Sequence, residues 1–103
     1  MPKFLFVYHG GKKPEAPEEV EKIMAQWAAW AEKMGSAVVD GGNPVGPSKT
    51  VFKGRLTNDG GANPASGYGL FSAANIDAVI GLAKGCPILE AGGNVEVAEI
   101  IEM

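Results

Sequence analysis

The chain has 103 residues, a length that fits one domain spanning residues 1–103 with a workable but modest core. Hydrophobic residues make up 46%, charged residues 20%, and the net charge is −3. An acidic balance with scattered basic residues argues against nucleic acid, whose binding rests on neutralising phosphates with Lys and Arg.

The single cysteine, Cys86, leaves no intrachain disulfide to form, which fits a reducing, cytoplasmic setting. No stretch approaches the roughly 20 apolar residues of a membrane helix, so a soluble chain is expected. Along the chain, Lys3 to His9 reads as a strand, with Phe4, Phe6 and Tyr8 on one face and Leu5, Val7 and His9 on the other. Both faces are apolar at the centre, so an interior strand covered on both sides is expected.

Gly10–Gly11 ends that strand. Pro17 to Met34 predicts the main helix, with Pro17 in the first turn and acidic residues at the positive end of the dipole. Val20, Ile23, Met24, Trp27, Ala31 and Met34 form its apolar stripe, with Trp30 at the edge, and Gly35 stops it. Ala37 to Gly41 reads as a second strand. A Gly/Pro/Asn-rich stretch covers about 42–67, within which Thr50 to Leu56 suits a short strand or hairpin arm and Asn58–Gly61 a turn. Tyr68 to Ser72 reads as a strand, Ile76 to Lys84 as a helix N-capped by Asn75, and Val95 to Ile101 as the last strand.

Strand, helix, strand, strand, helix, strand is the ferredoxin-like, split βαβ order: an α+β fold with an antiparallel sheet and both helices on one face. An apolar second face then calls for cover, which a homodimer stacking sheet on sheet supplies.

The opening KFLFVYHG, the helix VEKIMAQWAAWAEKMGSAVVDGG, and the phrase SGYGLFSAANIDAVIGLAKGCP followed by VEVAEI resemble the YCII-related family, within it the DGPF-domain proteins. The resemblance covers nearly the whole chain. It implies a ferredoxin-like fold that dimerises into an α+β barrel, with a cleft between helices and sheet. Two family features are missing. Asp59–Gly60 is followed by Gly61–Ala62 rather than Pro–Phe, and the stretches matching the family's His–Asp pair read Ala25–Gln26–Trp27 and Gly85–Cys86–Pro87.

Candidates for chemistry are few. His9, the only histidine, is the natural acid–base group, and Asp40, before Gly41–Gly42, is its candidate carboxylate, although Asp beside Gly commonly caps a turn. Arg55, with Lys49 and Lys53, suits an anionic ligand or a solvated hairpin face. Ser66, Tyr68 and Trp27 are candidate ligand contacts, with core packing as the alternative for the aromatic pair. Cys86, at a helix C-terminus, is poorly placed for a thiolate. No spacing points to a metal or a nucleotide cofactor. Two functions follow as expectations: a small-molecule binding or proton-transfer cleft near His9, Asp40 and the long loop, or a non-catalytic dimeric module whose 42–67 arm grips its partner.

Overall fold

The computed structural model describes Met1 to Met103 in full. In chain order its elements are β1 (Lys3–His9), α1 (Pro17–Met34), β2 (Val38–Asp40), β3 (Thr50–Phe52), β4 (Arg55–Thr57), β5 (Ala65–Ser72), α2 (Ile76–Ala83) and β6 (Asn94–Glu99). Short 3-10 turns lie at Gly35–Ala37 and Pro87–Leu89. β2, β5, β1 and β6, in that spatial order, form one antiparallel sheet, while β3 and β4 form a separate hairpin. The result is an α+β protein compatible with the ferredoxin-like order, and β1 is interior as its two apolar faces require. No helix is long and apolar enough to cross a membrane.

Local chemistry explains the boundaries. Pro17 opens α1, Gly35 turns its end at φ 55°, and the Asn75 side chain accepts from the Ala78 N–H at 2.9 Å to cap α2. β5 begins at Ala65, three residues before the Tyr68 expected, because Ala65 and Gly67 pair with His9 and Tyr8 of β1 and the segment after β2 runs along the other side. There the Val45 N–H donates to the Ser66 carbonyl at 3.0 Å and the Tyr68 N–H to the Asn43 carbonyl at 3.2 Å. Only glycine fits at position 42: its φ is +73°, and a Cβ there would sit 1.6 Å from the Tyr68 carbonyl oxygen. β2 is shorter than expected because residues 35–37 are taken up by the 3-10 turn. β6 stops at Glu99, so Ile100 and Ile101 lie beyond it.

The core lies between the sheet and the helices. Phe4, Phe6, Tyr8 and Phe71 pack there with Trp30, Met34, Val79 and Ala83. In the register of β1 on β5, Gly69 faces Phe6 and Gly67 faces Tyr8. Those glycines leave the volume that the rings fill. A Cβ on Gly69 would lie 2.7 Å from the Phe71 ring and 3.2 Å from the Tyr8 hydroxyl oxygen. The rings then interlock, with Phe6 and Phe71 centroids 4.3 Å apart and Trp30 5.5 Å from Phe71. Trp30 and Met34 are the buried residues of α1, so Trp30 belongs to the core and not to the edge of the stripe. Its indole N–H donates to the Leu82 carbonyl at 3.0 Å, tying α1 to α2. Toward the helix N-terminus the stripe is less covered, and Met24 is 67% exposed.

The opposite sheet face carries Leu5, Val7, Tyr68 and Leu70, all half-buried, because they alternate with the core residues along β1 and β5. Across the molecule the extents are 44 × 43 × 18 Å, a thin slab.

Replacing Gly69 by Ala forces a methyl against two rings. We expect a loss of about 1–3 kcal/mol in urea unfolding. Gly81→Ala, in α2 with nothing within 4 Å of the added Cβ, should instead add about 0.5–1 kcal/mol.

Candidate functional site

A cleft of about 1210 Å³ opens between the N-terminal half of α1 and the adjoining ends of β1 and β5. α1 supplies Glu19, Lys22, Ile23, Met24, Gln26 and Trp27; the loop after β1 supplies Gly10 to Pro14. Gly41 to Val45 form a third side, and Pro87, Ile88, Glu90 and Ala91 a fourth. Tyr8, Ser66, Gly67 and Tyr68 border it from the sheet. The volume exceeds the few hundred Å³ that a small ligand occupies. A smaller hollow of about 340 Å³ lies outside Trp30, walled mostly by polar or small groups such as Gln26, Ala29 and Lys33.

Trp27 is held in place from two sides. Its ring meets Tyr8 edge-to-face at 5.0 Å and Trp30 edge-to-face at 5.6 Å. Half-buried and fixed, it gives the cleft a rigid aromatic wall. Tyr8 is 4% exposed, and its hydroxyl has no hydrogen-bond partner in the protein. Burial, and secondarily the neighbouring Cys86, push its phenol well above the usual value, so Tyr8 keeps its proton. The Cys86 thiol is pushed up to about 11 by burial, so it too stays protonated near neutral pH.

His9 stands elsewhere. Alternation turns it to the open sheet face, where it is 6% exposed. Its Nδ1 lies 3.2 Å from the Pro64 carbonyl oxygen and its Nε2 2.9 Å from Glu96 Oε1. A carbonyl and a carboxylate only accept, so the doubly protonated imidazolium alone donates to both. Its pKa is accordingly raised, first by the hydrogen bond to Glu96 and further by Pro64, against the opposing effect of burial. Glu96 reaches His9 diagonally, since β6 places Glu96 opposite Val7 and Asn94 opposite His9.

The His9–Asp40 couple is not assembled. Asp40 Oδ1 accepts from the Gly42 N–H at 2.9 Å, the turn-capping role open to Asp beside glycine, and the carboxylate on His9 is that of Glu96. Arg55 lies on the hairpin, its guanidinium 3.9 Å from the centre of the Phe52 ring, and does not line the cleft. Ser66, Tyr68 and Trp27 do border the cleft. The Tyr68 side chain, though, alternates to the open face beside Val7, and the Ser66 hydroxyl is buried without a partner at the bulge where β5 slips against β1.

The sequence reading passed over Lys12, Lys13, Lys22 and Ile88 as cleft residues. The adjacent lysines after a double glycine were a visible signal. Lys22 and Ile88 had none, because only the fold brings α1 and the turn after α2 to the same opening. No group of three or more His, Cys, Asp or Glu side chains is placed to hold a metal ion. Comparison with known proteins finds no matching family model, no matching curated protein and no matching solved structure.

The raised His9 pKa fixes a sign. Its contribution to stability is fully present below the unfolded-state value of about 6.5 and disappears as pH rises through the higher folded value. Urea unfolding midpoints should therefore fall across that window in the native chain. Glu96→Gln should lower the His9 titration midpoint followed by NMR and flatten the fall; an unmoved His9 midpoint would show that the pair is not formed in solution.

Proposed function

We propose that this chain is a homodimeric small-molecule binding domain, its cleft on the helix side of the sheet and its subunit contact on the open side. The observation that carries the binding reading is the cleft itself: a large opening with a fixed aromatic wall at Trp27, apolar neighbours in Ile23 and Ile88, and polar groups around it. Binding is favoured over proton transfer, because His9 is engaged on the other face and the buried phenol of Tyr8 holds its proton. The resemblance to the YCII-related and DGPF-domain proteins, with the dimeric α+β barrel it implies, is part of this proposal and rests on the sequence phrases alone.

The dimer rests on area. The chain exposes 7237 Å², about 30% more than the roughly 5,500 Å² typical of a monomer of its mass. That excess is roughly twice the ~800 Å² a standard interface takes from each partner. Its radius of gyration, 14.8 Å, also exceeds the about 13 Å of a compact chain of this length. An isologous stack through Leu5, Val7, Tyr68 and Leu70 covers the open face at two-fold symmetry. The proposed setting is the cytoplasm.

One observation favours the non-catalytic module as a second reading. The β3–β4 hairpin is a separate two-stranded sheet with Val51 80%, Leu56 55% and Phe52 43% exposed. A lone hairpin of this kind is marginal in water, and an arm laid on a partner gains the missing cover.

Sedimentation equilibrium should give twice the 10.7 kDa chain mass, and Leu70→Lys should return it to one. A single-chain mass at all concentrations refutes the dimer. In a thermal-shift screen of small organic molecules, hits should stabilise the native chain, by about 2.7 kcal/mol at a hundredfold excess over Kd, and lose that effect in Trp27→Ala. If no compound stabilises the chain, or Trp27→Ala responds like the native chain, the cleft is not the binding site and the module reading stands.

A further inference from the structure

Resting on the binding reading above, the geometry points to a specific ligand class: we infer that the cleft takes an organic anion, its carboxylate, sulfonate or phosphate held by the Gly10–Lys13 loop and Lys22, and its flat apolar body laid against Trp27.

Charge selects the sign. The chain as a whole carries −3, yet Lys12, Lys13 and Lys22 all line this one cleft, against Glu19 and Glu90. None of the three lysines has a carboxylate within 4.0 Å; the single ion pair in the protein is His9 with Glu96. One carboxylate oxygen of Glu19 is already occupied by the Glu15 N–H at 3.3 Å. Three unneutralised ammonium groups around one opening make a positive potential that favours a negatively charged guest.

The backbone adds directional donors. Gly10 and Gly11 have φ of +70° and +88°, a conformation that side chains rarely adopt. Neither donates its N–H to another backbone group, although both line the cleft. The loop is nonetheless anchored. The Lys12 N–H donates to the Ala91 carbonyl at 2.9 Å, and a Cβ on Gly11 would come 2.5 Å from the Ile88 side chain. N–H groups without a partner on an anchored glycine turn, followed at once by two lysines, supply the backbone donors and flanking cations that an oxyanion cradle needs. This is not a nucleotide loop, which needs a longer glycine spacing and a following helix.

The body of the guest follows from the other wall. Trp27 is fixed edge-to-face between Tyr8 and Trp30 and half-exposed, and Ile23 and Ile88 also line the opening. A guest with an aromatic or fused-ring body and one anionic group matches both walls. A bare inorganic anion uses only one of them.

The test compares 1-naphthoate, 1-naphthyl phosphate, the neutral 1-naphthalenemethanol and inorganic phosphate with the full-length protein, by amide and indole NMR shifts. The two naphthyl anions should move the Gly10 and Gly11 amides and the Trp27 indole together. They should bind at least about tenfold more tightly than the alcohol, and a tighter fit for one of them tells carboxylate from phosphate. Inorganic phosphate alone should move only the glycine amides. Lys12→Gln/Lys13→Gln changes exposed side chains, so folding is preserved; it should weaken the anions about tenfold and leave the alcohol unchanged. Equal binding of alcohol and anions at the Trp27 indole, unaffected by the lysine changes, overturns the anion assignment and leaves the binding cleft standing. Failure of every naphthyl compound to move the cleft residues overturns both.

Discussion

The interlock of aromatic rings over glycines on the central strands is the constraint on which the rest depends. Phe6 and Tyr8 on β1 stand across from Gly69 and Gly67 on β5, and the rings of Phe71 and Trp30 close over the space those glycines leave. With so few residues, the core draws its apolar burial from large rings; Phe6 and Tyr8 find room where β5 offers glycines opposite, while Phe4 stands across from Phe71. Once Trp30 is seated and bonded to Leu82, α1 lies at a set height above the sheet. Trp27, one turn earlier and braced on Tyr8, then becomes a wall instead of core. The cleft is thus the continuation of the core past the point where α1 stops covering the sheet.

The two faces of the sheet differ in what they carry. On the helix side, packing is dense around Phe4 and Phe6 and opens toward Gly10 and Gly11. On the far side, Leu5, Val7, Tyr68 and Leu70 make an apolar patch edged by the His9–Glu96 pair. The histidine is held by two acceptors on the patch side, away from the opening. It acts as a cross-strand tie joining β1, β6 and the chain at Pro64.

Much of the fold was legible in the sequence, for identifiable reasons. β1 and α1 were bounded correctly because alternation, Pro17 and Gly35 are local signals that need no tertiary context. Thr50 to Leu56 was read as a short strand or hairpin arm; it holds nearly both strands of the hairpin, whose turn at Lys53–Gly54 was not foreseen. β5 was under-read at its start, since Ala65 to Gly67 have weak strand propensity and extend the strand through tertiary pairing, with Tyr8 and His9 of β1 on one side and residues 43–45 on the other. Trp30 was read at the edge of the stripe yet as a residue sealing the helix–sheet core, and it does lie in that core, bonded to Leu82.

The site was less legible than the fold. His9 drew notice as the only histidine, yet its partner is fixed by the register of β6 on β1, which makes Glu96 and not Asp40 its neighbour. Ser66, Tyr68 and Trp27 were found at the cleft border, although Tyr68 turns its side chain away. Lys12 and Lys13 were visible as a pair, but only the closed fold sets them beside Lys22 and Trp27. The division of labour between the faces can be read in one experiment: solvent paramagnetic relaxation of methyl groups by a soluble gadolinium chelate. The account predicts protected methyls at Leu5, Val7 and Leu70, with strong relaxation at Met24. Relaxation of the Leu5, Val7 and Leu70 methyls as strong as that of Met24, at protein concentrations well above those used for sedimentation, would contradict it.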